Sequence, residues 1–184
     1  RIAGIINYKY IEIWGHRLAR FGWLDFIDDN EVVDALFATV EEWAKSKGME
    51  GLHGPLGFTD LDREGMLVEG FNEVGTFATI YNYPYYPMHL ERLGYKKDAD
   101  WVEYHIKVPD AIPERATQIA NLISERKNIR IVEAKKSKDL LPYAKGLFEV
   151  INEAYSGLYG FVPLTDKQIA LYTKQYFPLV SPDF

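Results

Sequence analysis

Cysteine is absent from this 184-residue chain. Disulfides, thiol nucleophiles and thiolate metal sites are therefore excluded. The absence fits a reducing compartment, and a cytoplasmic location is the expectation. No apolar run approaches the length of a membrane span, and these residues hold no secretory signal pattern. No lysine or arginine block stands out against a formal charge of -6. Neither nucleic acid nor a membrane is expected as partner. His16, His53, His89 and His105 include no pair at helical ligand spacing, so no metal site is expected. Neither standard glycine-rich nucleotide loop is present, and the few serines lack a nucleophile-elbow context. Asp60-Leu61-Asp62-Arg63-Glu64-Gly65 starts like a calcium loop, but its closing bidentate position falls on Phe71.

What the chain does have is apolar and aromatic content, 47% and 15% respectively. That argues for a folded protein with one ordinary core or two small ones. The densest signal runs from Gly54 to Tyr95, where glycine and proline recur and Tyr81, Tyr83, Tyr85 and Tyr86 surround Asn82 and Pro84. Rings beside turns of fixed geometry can form a rigid concave wall for a ligand. They can equally pack on a sheet.

Residues 1–14 and 20–27 carry apolar side chains at both parities, which predicts two paired strands covered on both faces. Asp28 with Glu31 reads as a capping box. Val32, Val33, Leu36, Phe37, Val40, Trp43 and Ala44 then form a helical stripe that Gly48 can close. A short strand is expected around Leu52 and a helix from near Pro87 to Gly94. Residues 101–108 alternate as a strand with one wet face. Pro109 and Pro113 mark a boundary before an amphipathic helix over 114–127, with Ala116, Ile119, Leu122 and Ile123 inward. A strand IRIVEA, a helix from Ser137 and a capped helix from Thr165 follow. The first residues already read as a strand and the last follow a helix, so a piece of a longer polypeptide is expected.

This order of elements resembles the back half of a GNAT acyltransferase. The likeness is nearer to a little-characterised bacterial group of that superfamily. It rests on Phe26, Asp28, Asp29, Glu31 and Val32, on Gly54-Pro55, and on Gly65, Leu67, Val68, Glu69, Gly70 and Phe71. It continues through Tyr81-Asn82-Tyr83-Pro84-Tyr85-Tyr86, Leu90, Gly94-Tyr95, Asp100, Trp101 and Tyr104. The resemblance implies an α+β protein with a mixed, mostly antiparallel GNAT-like sheet flanked by helices. Residues 1–108 would be the back half of one unit and 109–128 a connecting helix. Residues 129–184 would be the front part of a second unit.

It further implies acyl transfer from acetyl-CoA or another acyl-CoA to an amine of a small molecule or peptide, and a possible homodimer. The alternative is an inactive ligand- or peptide-binding module or assembly domain. Phe26, Ile27, Asp28, Asn30, Val32 and Val33 would hold the cofactor between two splayed strands, RFGWLDFI and GLHGPLGF. Tyr85 or Tyr86, with Asn82, would serve as the catalytic group protonating the departing thiolate. The family's tyrosine position is Leu90 here. His53, Asp60, Glu69 and Tyr83 would face the substrate, with Asp62 as a further candidate base. The family's glycines at the helix start are replaced by Asp28-Asp29-Asn30-Glu31, which places acids where a pyrophosphate would lie.

Overall fold

The computed structural model describes residues 1–76 and 78–181. Its chain forms two compact units. The first comprises Arg1–Trp101 and Val150–Leu164. The second comprises Val102–Glu149 and the stretch from Thr165 onward. The architecture is α+β, with six α-helices and a small three-stranded mixed sheet among the described residues.

In the first unit the strands are β1 (Ala3–Ile5), β2 (Leu18–Gly22) and β3 (Gly51–His53), in that spatial order. β1 pairs antiparallel with β2, placing Ala3 opposite Gly22. β2 pairs parallel with β3, placing Leu18, Ala19 and Arg20 beside Gly51, Leu52 and His53. The expected first strand stops at Ile5. Asn7 accepts hydrogen bonds from the Lys9 and Tyr10 amides and starts helix α1 (Tyr8–Trp14), which ends at the left-handed Gly15. A side-chain cap offers the next backbone amides partners at once, and it overrides the β preference of the Ile- and Tyr-rich run.

Helix α2 (Asn30–Ser46) is capped by Asp29, one residue after the expected position, whose carboxylate accepts from the Val32 amide at 3.1 Å. Val33, Phe37, Val40 and Ala44 bury its apolar stripe. They meet β2 through Ala19 and Phe21, which alternate onto one face of the sheet. Phe26, Tyr86 and Leu90 complete that core. Helix α3 (Tyr85–Arg92) starts two residues before Pro87 and closes where the Tyr95 amide donates to the Leu90 carbonyl across the left-handed Gly94.

In the second unit, helix α4 (Glu114–Lys127) ends at left-handed Asn128. A 3₁₀ segment (Ser137–Tyr143) leads into α5 (Ala144–Ala154), whose residues from Val150 onward belong to the first unit. Thr165 and Gln168 form the expected reciprocal cap at α6 (Asp166–Tyr176). Ile119, Leu122 and Ile123 of α4 stay about half exposed. Residues 101–108 and 129–134 form no strand among the described residues, contrary to the alternation of the first and the pattern of the second. A strand exists only where a neighbour completes its ladder, and an alternating pattern cannot supply one.

Candidate functional site

The far face of the sheet, away from α2, carries the polar centre. Alternation along β2 turns Arg20 away from the core that takes Ala19 and Phe21, and the parallel register sets His53 of β3 beside it. Both pack on the ring of Tyr10 from α1. The Arg20 guanidinium lies 5.1 Å from the ring centroid, and the His53 ring lies 4.9 Å away. Arg20 is 1% exposed. Its Nη1 donates to the Gly57 carbonyl at 2.9 Å and its Nη2 to the Gly160 carbonyl at 2.6 Å. No carboxylate among the described residues comes within ion-pair distance of it.

Burial shapes the titration of everything around this cation. His53 is pushed down to about 4, first by desolvation and then by the nearby Arg20 charge. Asp60 is pushed up to about 6 and Glu64 to about 7, both chiefly by desolvation, although Arg20 opposes each shift. The Nδ1 of His53 lies 3.4 Å from the Tyr159 hydroxyl, which donates to the Asp98 carboxylate. The Nε2 of His53 and the Nε of Arg20 are buried without a hydrogen-bond partner among the described residues. The arrangement is therefore a neutral imidazole beside a permanent cation and two carboxyl groups that take up protons near neutral pH.

The expected catalytic residues lie elsewhere and are engaged in the framework. The Tyr86 hydroxyl accepts from the Phe26 amide at 3.2 Å and donates to the Asp25 carboxylate at 3.1 Å. Its ring stacks on Phe26 at 4.1 Å. The Tyr85 hydroxyl donates to the Phe26 carbonyl. Asn82 clamps Leu67, accepting from its amide and donating to its carbonyl. Tyr83 is 60% exposed and stacks on Tyr85. Leu90 is buried in the core.

The expected cofactor residues divide in the same way. Phe26 and Val33 are buried in the core, whereas Ile27 is 65% exposed. Asp28 pairs with buried His89 at 2.8 Å, and Asn30 opens α2. The Val32 amide, one of the donors a phosphate would use, is taken by Asp29. A diphosphate does not fit that helix start, because the acids fill and charge it.

The two strands stay joined one step past their paired residues. Beyond the Arg20–His53 pair, the Leu56 amide still donates to the Phe21 carbonyl at 2.8 Å. A recess forms further on, between Trp23 and Leu24 after β2 and Pro55 after β3, and the expected catalytic residues Asn82 and Tyr86 line it together with Met66 and Ile80. Among the expected substrate residues, His53 and Asp60 belong to the polar centre. Glu69 is exposed beside the Gly70 turn. Asp62 holds the loop after β3, accepting from the Phe58 and Thr59 amides. Among the described residues no group of three His, Cys, Asp or Glu side chains could hold a metal ion.

Arg20, Glu64, Asp98 and Tyr159 had no place in the expected site. Arg20 had a local signal, since it is a charge beside an apolar two-faced run. Tyr159 had none, lying 106 residues from His53 in sequence.

Comparison with known proteins gives two relatives. The chain is 28% identical over all 184 residues to Protein YghO of Escherichia coli (strain K12), of which it covers 46%. It is 27% identical over 161 residues to Bacterial ceramide synthase of Caulobacter vibrioides, covering 84% of this chain and 41% of that protein. It thus spans less than half the length of each. No family model matches the chain, and no solved structure matches it. No helix among the described residues is long and apolar enough to cross a membrane.

Proposed function

We propose that this chain belongs to an acyltransferase that joins an acyl group to the amine of a small molecule or peptide, with His53 as the proton acceptor. The observation that carries the reading is the buried, neutral His53 imidazole with an unpartnered nitrogen. An amine arrives as an ammonium and must lose a proton before it can attack an acyl carbon. The unpartnered Nε2 of a neutral imidazole offers a lone pair for that proton, although burial and the Arg20 charge make the ring a weaker base than free histidine. Arg20 beside it opposes retention of the charge, which favours passing the proton on.

The similarity to a protein named for ceramide synthesis supports the same chemistry, because ceramide is the amide of a long-chain amino alcohol. Such an amino alcohol is the first acceptor to try. The donor in this reading is an acyl-CoA. Its diphosphate would be held away from the start of α2, where acids occupy the turn. The steps assigned to residues of this chain are proton steps only.

The experiment pairs calorimetric titration of the chain with acetyl-CoA and a long-chain acyl-CoA. Product analysis by mass spectrometry follows, with an amino alcohol present. Saturable heat and an amide product that His53→Gln abolishes are expected. Silence in both assays overturns the reading.

A further inference from the structure

We propose that Asp98 and Tyr159 are positioning residues that hold His53 in its Nδ1–H tautomer, leaving Nε2 as a bare proton acceptor. The catalytic meaning of this inference rests on the function proposed above, whereas the tautomer does not. The argument is one of proton counting along three contacts. An ionised carboxylate only accepts, so the hydrogen between Tyr159 and Asp98 belongs to the tyrosine, and the hydroxyl donates it. With its one hydrogen spent, the Tyr159 oxygen can face His53 only as an acceptor. The 3.4 Å contact therefore requires a hydrogen on His53 Nδ1. A neutral imidazole carries a single N–H, so Nε2 is left with its lone pair. That is the nitrogen which is buried and has no partner among the described residues.

The surroundings hold the geometry. The Tyr10 ring lies against one side of His53 at 4.9 Å. Trp101 meets the Tyr159 ring edge-on at 5.9 Å. Burial and hydrogen bonding to Asp98 raise the Tyr159 hydroxyl above its ordinary value, so it keeps the hydrogen it donates. Burial first, then Arg20 and more weakly His16, disfavour a second proton on the imidazole, while Asp98 favours one and is outweighed. A carboxylate hydrogen-bonded directly to a histidine is a general way to choose which ring nitrogen does the chemistry. Here a phenol stands between the two.

The test is nitrogen-15 spectroscopy of the 184-residue chain, with His53→Gln identifying the resonances. Wild type is expected to show a protonated Nδ1 and an unprotonated Nε2. Tyr159→Phe, which keeps the ring, is expected to move the proton to Nε2. Asp98→Ala, made at an exposed carboxylate, frees the Tyr159 hydroxyl to turn round and is expected to populate both tautomers. A wild-type spectrum with the proton on Nε2, or a Tyr159→Phe spectrum that leaves it on Nδ1, overturns the inference. If acyl transfer is observed, Tyr159→Phe should lower kcat at least about tenfold with KM little changed. Spectra as expected in a chain with no acyl transfer would leave the relay standing and remove the proposed function alone. An active chain with the opposite tautomer would do the reverse.

Discussion

Tyr86 is half of the fastening that holds the start of α3 to the segment before α2. Its hydroxyl satisfies the Phe26 amide and reaches Asp25, while its ring lies flat on Phe26. A phenol spent on two hydrogen bonds inside a core is costly to shorten. Tyr86→Phe leaves the buried Phe26 amide without its acceptor. We expect a loss of about 1–2 kcal/mol of stability, read as a lower urea midpoint at unchanged slope. An unchanged midpoint would show that the hydroxyl contributes nothing to the fold. Arg20 carries the same lesson in stronger form, since carbonyls rather than carboxylates hold the cation. Its charge is therefore felt by His53, Asp60 and Glu64 across the whole centre.

The junction of β2 and β3 decides whether anything can lie between those strands. Gly22 sits where a Cβ would come within 2.3 Å of the Leu56 carbonyl oxygen. The chain after β3 therefore closes on β2 only because that position has no side chain. We expect Gly22→Ala to push the Leu56 segment off the strand and cost about 3 kcal/mol, measured by thermal or urea unfolding. Hydrogen exchange at the Leu56 amide should quicken in the same variant. Full protection there would contradict the close approach. The segment 102–108 shows the opposite situation. Val102, Tyr104, Ile106 and Val108 alternate as a strand does, yet all four are exposed and no neighbouring strand among the described residues receives them.

Stability against pH belongs to the molecule as a whole, because it counts protons bound by the folded and unfolded chains. His53, lowered from 6.5 to about 4, is protonated in the unfolded chain but not the folded one between those values. It makes stability rise with pH across that window. Asp60, raised from 3.8 to about 6, and Glu64, raised from 4.5 to about 7, have the opposite sign. Their folded forms hold the extra proton, and their contribution is lost as pH rises. From about pH 4.5 to 6 two falling contributions meet one rising one, and near pH 7 Glu64 alone remains. Removing Glu64 should therefore stabilise the chain at pH 7.5 relative to pH 5. We expect Glu64→Gln to narrow the wild-type difference between those pH values by about 2 kcal/mol, read from urea midpoints. Parallel profiles for the two proteins would rule out a buried Glu64.

Local chemistry was legible in the order of residues. The stripe of α2, the cap at Thr165 and Gln168, and the stop at Gly94 all follow from side chains within a few positions of one another. The chain by itself also placed His53 on a short strand and excluded thiol chemistry. Distance in sequence hid the rest. The register that sets Arg20 beside His53 depends on strands more than thirty residues apart. The contact of His53 with Tyr159 depends on residues further apart still. Sequence patterning reports which side chains avoid water, because that preference acts on each residue alone. Which polar groups share the resulting dry space, and how far each pulls the others' protons, was decided only when the chain closed on itself.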